Sequence, residues 1–169
     1  MVNSWITELI LFMQSDNKVL VLGLGNEILT DDGIGVRIVK HLAKENQNPD
    51  YCFRTTWMGG LEILEYLDAD YKTAVFIDAA KNGDVDTGTV VTYDLENFRE
   101  TLHLSNFHDS SFLNTIKLAA KLGYKVPESI KIISVEISED EVFSKHFSKK
   151  IAEKYDEIFI EITRLIKSY

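Results

Sequence analysis

Short unbroken apolar runs alternate along this chain with stretches whose apolar residues recur every three to four positions. The first rhythm is that of strands covered on both faces, the second that of amphipathic helices. Lys18–Leu22 opens the series as a predicted strand, and a helix follows from about Asp32 to Lys44. A polar turn, Glu45-Asn46-Gln47-Asn48-Pro49-Asp50, leads into a second strand at Tyr51–Thr56. Gly59 and Gly60 break the chain before a helical Leu61–Leu67, and Thr73–Ile77 forms a third strand that ends in Asp78. Gly83 and Gly88 bracket a turn ahead of a strand at Thr89–Tyr93. Phe112–Leu122 has helical spacing and stops at Gly123, where a glycine suits the end of a helix. Ile130–Val135 reads as another buried strand, and a last helix over Phe147–Ile166 places Ile151, Tyr155, Ile158, Ile162 and Ile166 on one face. The alternation predicts an α/β fold: a three-layer αβα sandwich around a largely parallel sheet of about five strands.

No internal repeat, linker or low-complexity segment divides residues 18–169, which we read as one domain. Residues 1–17 form an N-terminal extension expected to be helical. Its apolar stretch Trp5–Met13 carries Glu8 and lacks a basic start and a small-residue cleavage site, so it is a poor secretory signal. It also falls far short of the roughly 20 residues that span a bilayer. Over 169 residues the net charge is −9, which argues against a nucleic-acid partner because phosphate neutralisation needs a basic surface. The one cysteine, Cys52, excludes an internal disulfide and fits a reducing cytoplasm. A cytoplasmic monomer without a membrane span is the expectation.

The chemistry gathers after the first strand, in Gly23-Leu24-Gly25-Asn26-Glu27-Ile28-Leu29-Thr30-Asp31-Asp32-Gly33-Ile34-Gly35. A dinucleotide fingerprint would need glycine where the chain has Ile28, and no Gly-Lys-Ser/Thr follows to make a P-loop. The glycines instead suit a sharp backbone turn, with Asn26 and Thr30 as turn-forming and capping side chains. Asp31 and Asp32 leave two readings open. One carboxylate could cap the helix start, where the dipole favours negative charge, or the adjacent pair could await a cation at the carboxyl end of the strand. Asp78 stands at the end of its own apolar strand, either as a residue at the exposed mouth of the sheet or as part of the same site.

His108 lies in the polar loop Ser105-Asn106-Phe107-His108-Asp109-Ser110-Ser111, just before a helix. With Asp32 and Asp78 it would make an open set of two carboxylates and an imidazole, suited to a divalent transition metal such as nickel or zinc. His41, within the first helix, His103 and His146 are less suited. Ser110 and Ser111 beside His108 raise a serine nucleophile, but the Gly-x-Ser-x-Gly elbow is missing.

The run Gly25-Asn26 followed by Thr30-Asp31-Asp32-Gly33-Ile34-Gly35 resembles the N-terminal signature of the [NiFe]-hydrogenase maturation endopeptidases. The likeness continues through Phe76-Ile77-Asp78-Ala79, His108 with its following helix, and Ile132-Ile133-Ser134-Val135-Glu136. It implies an endopeptidase that removes the C-terminal extension of a [NiFe]-hydrogenase large-subunit precursor after nickel insertion. It further implies that Asp32, Asp78 and His108 meet the metal and serve catalysis. Nickel would then arrive with the substrate, with no permanently bound cofactor, to polarise the scissile carbonyl or activate water. Where this family often carries Gly-Gly-Thr after the second strand, the chain has Thr56-Trp57-Met58, with Gly59-Gly60 following.

Two other readings share parts of the pattern. Gly23-Leu24-Gly25-Asn26 also opens peptidyl-tRNA hydrolases, but their Arg-His-Asn motif does not follow and the acidic charge disfavours RNA. A non-catalytic protein that checks nickel loading could use the same three ligands.

Overall fold

The structure, a computed structural model, describes residues 18–57, 60–67, 71–95 and 109–169; the predicted helix of the N-terminal extension lies outside them. Five strands form one sheet in the order β2-β1-β3-β5-β4. These are β1 (Val19–Leu24), β2 (Tyr51–Thr56), β3 (Thr73–Ala80), β4 (Val90–Asp94) and β5 (Ser129–Glu136). All neighbours run parallel except β4, which pairs antiparallel with β5 at the edge. The principal helices are α1 (Ile34–Glu45), α3 (Asp109–Lys121) and α4 (Lys149–Ile166). The predicted helix over Leu61–Leu67 is instead a tight 3-10 turn, Gly60–Ile63, running into a short α2 (Leu64–Leu67).

Strand alternation splits the apolar residues into two cores, one on each face. Val19, Val21, Val75 and Ile77 meet Ile34, Ile38 and Leu42 of α1 and the stripe Ile151, Ile158, Ile162 and Ile166 of α4. Leu20, Leu22, Phe76 and Ile132 meet Ile63, Leu67, Ile116 and Ala119 on the other face. The layered α/β sandwich expected from the alternation is the fold observed. Tyr155 takes its place in the α4 stripe as a half-buried member, its ring near that of His41. His41 itself stacks on Phe159 with centroids 3.9 Å apart, which places it in packing rather than at a site.

The third strand runs past its apolar stretch. β5 continues to Glu136 and pairs Asp78 with Ser134, Ala79 with Val135 and Ala80 with Glu136. Asp78 therefore sits within the ladder and not after it, because the backbone bonds offered by β5 extend the strand through a charged residue.

The N-terminal turn of α1 rests on the sheet with almost no space between. A Cβ added to Gly35 would fall 2.2 Å from the Ile77 carbonyl oxygen and 2.7 Å from that of Leu24. One added to Gly23 would fall 2.5 Å from the Gly35 oxygen. Three backbones meet here, and none can rotate away as a side chain could. Gly35→Ala would gain about 1 kcal/mol of helix propensity. Against that stands an overpacking cost of about 3 kcal/mol with backbone as the obstacle. We expect a net loss of about 2 kcal/mol, read as a lower urea midpoint at unchanged slope; a variant as stable as the parent would refute this close approach.

Candidate functional site

The loop from β1 to α1 is built around Gly25 and Asn26. Gly25 holds φ +119°, a region that L side chains rarely adopt, and a Cβ there would lie 2.0 Å from the Asp32 carbonyl oxygen. Asn26 organises the turn as expected: its side-chain oxygen accepts the Ile28 N–H at 3.2 Å and its carbonyl accepts the Leu29 N–H at 3.0 Å. Its own N–H donates to Asp32 Oδ2 at 2.6 Å, so the loop grips the carboxylate by a backbone donor. Asp32 is 9% exposed, at the boundary between interior and solvent.

Neither aspartate caps α1. The N-cap is Gly33, without a side-chain bond, and Thr30 is no cap either. Thr30 sits at φ 44°, a left-handed conformation that costs a β-branched residue roughly 1–3 kcal/mol. A strap formed by residues 139–148 holds it there. The Thr30 hydroxyl donates to the Val142 carbonyl at 2.5 Å, and its N–H donates to the Ser144 carbonyl at 3.1 Å. The Asp31 N–H donates to the Glu139 carbonyl at 3.2 Å.

Asp31 is fully buried, and its Oδ1 accepts the N–H of Ser148 at 2.7 Å. Ser148 is the N-cap of α4, so this carboxylate serves the start of a helix 117 residues away. A negative charge there is favoured by the dipole of α4. Its Oδ2 is buried with no hydrogen-bond partner among the described residues. Arg37 supplies positive charge nearby. Its guanidinium lies 4.1 Å from the Phe147 ring centroid and donates to the Glu27 carbonyl at 2.9 Å. Burial lowers the Arg37 pKa, with Glu27 and Asp31 opposing, and a guanidinium remains charged throughout.

Asp78 is half-buried, and its Oδ1 accepts the N–H of Ala79 at 2.8 Å. By alternation it projects on the sheet face of Phe76, the face packed by Ile116 and Ala119 of α3. The close approach of Gly35 to Ile77 brings the loop of Asp32 and the strand position of Asp78 to one edge of the sheet. His108 and His103 lie outside the described residues, as do side chains at Ser110 and Ser111. His146 sits in the strap before α4, its N–H bonded to Ser144 Oγ. Among the described residues no group of three or more His, Cys, Asp or Glu is placed to hold a metal.

Two features have roles that the sequence motifs do not assign. The strap is one: its polar residues carry no periodicity, and its partners in the β1–α1 loop are more than a hundred positions away. Glu136 is the other. This buried carboxylate at the end of β5 accepts the N–H groups of Asn82 and Gly83 at 2.9 and 2.7 Å, fixing the loop that follows β3. Burial raises the Tyr93 pKa, and the Glu136 charge adds to that rise. Its sequence signals are the apolar-strand-then-acid pattern shared with Asp78 and its place at the end of the Ile132-Ile133-Ser134-Val135-Glu136 run, and neither assigns it this role.

The hydrogenase maturation protease family model matches residues 36–165. The hydrogenase expression/formation protein HupD of Rhodobacter capsulatus is 29% identical over 156 residues, covering 90% of this chain and 72% of that protein. HupD of Bradyrhizobium diazoefficiens is 30% identical over 123 residues, covering 72% of this chain and 63% of the relative. Among solved structures, the hydrogenase maturating endopeptidase HybD of E. coli superposes with a TM-score of 0.70 at 22% identity, covering 89% of this chain and 93% of that one. With the match running from α1 nearly to the end of α4, the chain belongs to the hydrogenase maturation protease family.

Proposed function

We propose that this protein removes the C-terminal extension of a [NiFe]-hydrogenase large-subunit precursor once nickel is in place, and that Asp32, Asp78 and His108 contact that nickel. Family membership supports a processing endopeptidase. The observation that carries the site is the packing of Gly35 on Ile77, which sets the Asp32 loop beside the strand position of Asp78. His108 immediately precedes α3, the helix that covers the face of Asp78.

Nickel in this reading is part of the substrate. Carboxylate oxygens and an imidazole nitrogen are donors that a divalent first-row metal accepts. A carboxylate as sheltered as Asp32 is held in position by the Asn26 N–H, and a cation carried in by the precursor offsets its charge. An unloaded precursor offers no such charge, so the same interaction distinguishes loaded from unloaded substrate. The metal supplies the Lewis acidity that peptide hydrolysis needs; the chain's residues bind and orient it.

Asp32→Asn and Asp78→Asn keep an oxygen that accepts the backbone N–H while removing the charge. Each, like His108→Ala, is expected to slow processing at least about 100-fold, beyond the loss usual for groups that merely support a ligand. Their urea midpoints should stay near that of the parent. Variants that all process normally would remove the three residues from the site. Asp31→Ala should behave differently, losing about 1–3 kcal/mol because the Ser148 N–H loses its acceptor, with a smaller effect on turnover. A midpoint unchanged in Asp31→Ala would contradict its structural role. Incubation with nickel-loaded and nickel-free precursor, read by the mass of the large subunit, should show loss of a C-terminal peptide from the loaded form alone. Nickel-dependent binding without cleavage would turn the proposal into a loading checkpoint.

A further inference from the structure

The loop that carries Asp32 does not end at the carboxylate. Ile28, four residues upstream, is 45% exposed, while Val142 and Phe143 of the strap are 54% and 77% exposed. Isolated apolar side chains at a surface need no explanation, but these belong to two segments joined by backbone bonds. Leu29 and Ser144 form a parallel bridge, and the Ser144 N–H donates to the Ile28 carbonyl at 2.9 Å. That bond and the bridge set Ile28 beside the segment that carries Val142 and Phe143.

Charged residues flank these three, with acids in the majority: Glu27 precedes Ile28, Glu139-Asp140-Glu141 precedes Val142, and Lys145 follows Ser144. Glu27 is paired with Lys40 and Asp140 with Lys81, whereas Glu141 has no ion-pair partner among the described residues. The Glu139 carboxylate accepts the backbone N–H groups of Glu141 and Val142, which stiffens the turn presenting Val142 and Phe143. An apolar centre with a charged rim is the anatomy of a protein–protein contact. A second copy of this chain would oppose carboxylates with the same carboxylates in a two-fold contact, and the whole chain carries a net charge of −9.

We propose that Ile28, Val142 and Phe143 form the docking surface for the folded precursor protein, received through an apolar patch with a basic rim on its side. This rests on the processing reading and extends it from the metal contact to the body of the substrate. The docking surface and the Asp32 loop share hydrogen bonds, since the Val142 and Ser144 carbonyls accept from Thr30. A precursor seated on the strap is therefore registered against Asp32 by a rigid connection of a few residues.

The experiment measures processing kinetics and precursor affinity for the parent, the double variant Val142→Ser/Phe143→Ser, and Glu141→Lys, using purified nickel-loaded precursor. These side chains are exposed, so all three proteins should unfold at similar urea concentrations. The double variant should raise KM and Kd about tenfold or more, the scale of a lost interface anchor, with kcat unchanged. Glu141→Lys should slow association at low salt, with the difference from the parent fading as salt rises. A double variant with parental KM and Kd, or one that loses kcat alone, overturns the docking surface while leaving the processing reading intact. A parent that binds but does not cleave removes the processing reading, and the Kd comparison still decides the docking surface. A parent that neither binds nor cleaves overturns both.

Discussion

The contact on which the rest of this structure depends is backbone against backbone: the first turn of α1 resting on the carbonyls of Leu24 and Ile77. No side chain intervenes because Gly23 and Gly35 remove the two that would. That absence lets α1 begin directly over the carboxyl ends of β1 and β3. The loop between β1 and α1 must then close over a short span, and the left-handed backbone at Gly25 and Thr30 is how it does so. The position of Asp32 thus follows from a packing constraint three residues away, and Asp78 shares the same fixed point through Ile77.

A loop this tight holds conformations that would relax if left alone, and the far end of the chain prevents that. The strap at 139–148 accepts the Thr30 hydroxyl and N–H and the Asp31 N–H, and Asp31 in turn accepts from Ser148, the N-cap of α4. α4 is anchored over its length by Ile151, Ile158, Ile162 and Ile166 in the core. Strain at Thr30 is therefore held by a helix whose own stability comes from apolar burial, an arrangement expected where a local conformation serves a site.

Much of the fold was legible because apolar periodicity reports burial, and burial decides these elements. Tyr51–Thr56 matches β2 at both ends, and the α4 stripe was readable residue by residue. Asp78 shows where that logic stops: its charge suggested a strand end, but the ladder with β5 carries the strand on to Ala80. The carboxyl-edge motif pointed to Asp32 and Asp78 as neighbours because open α/β sheets gather ligands there. The strap was not legible, since its bonds to Thr30 and Asp31 are made by backbone groups common to all residues. Thr30 and Asp31 read locally as capping residues for α1; their true partners are long-range.

The two adjacent aspartates show how one turn gives neighbouring carboxylates different surroundings. Side by side in sequence, both charged and both near the interior, they would repel if they faced one another. The turn sends them to different partners: Asp31 inward to the amide end of α4, Asp32 to the Asn26 N–H at the sheet edge. A helix N-terminus and Arg37 stabilise the first charge from within the fold. Asp32, by contrast, has a backbone donor and partial contact with solvent. The fold therefore accommodates two adjacent carboxylates by separating them: Asp31 is answered by the start of α4 and by Arg37, and Asp32 by the Asn26 N–H near the solvent boundary.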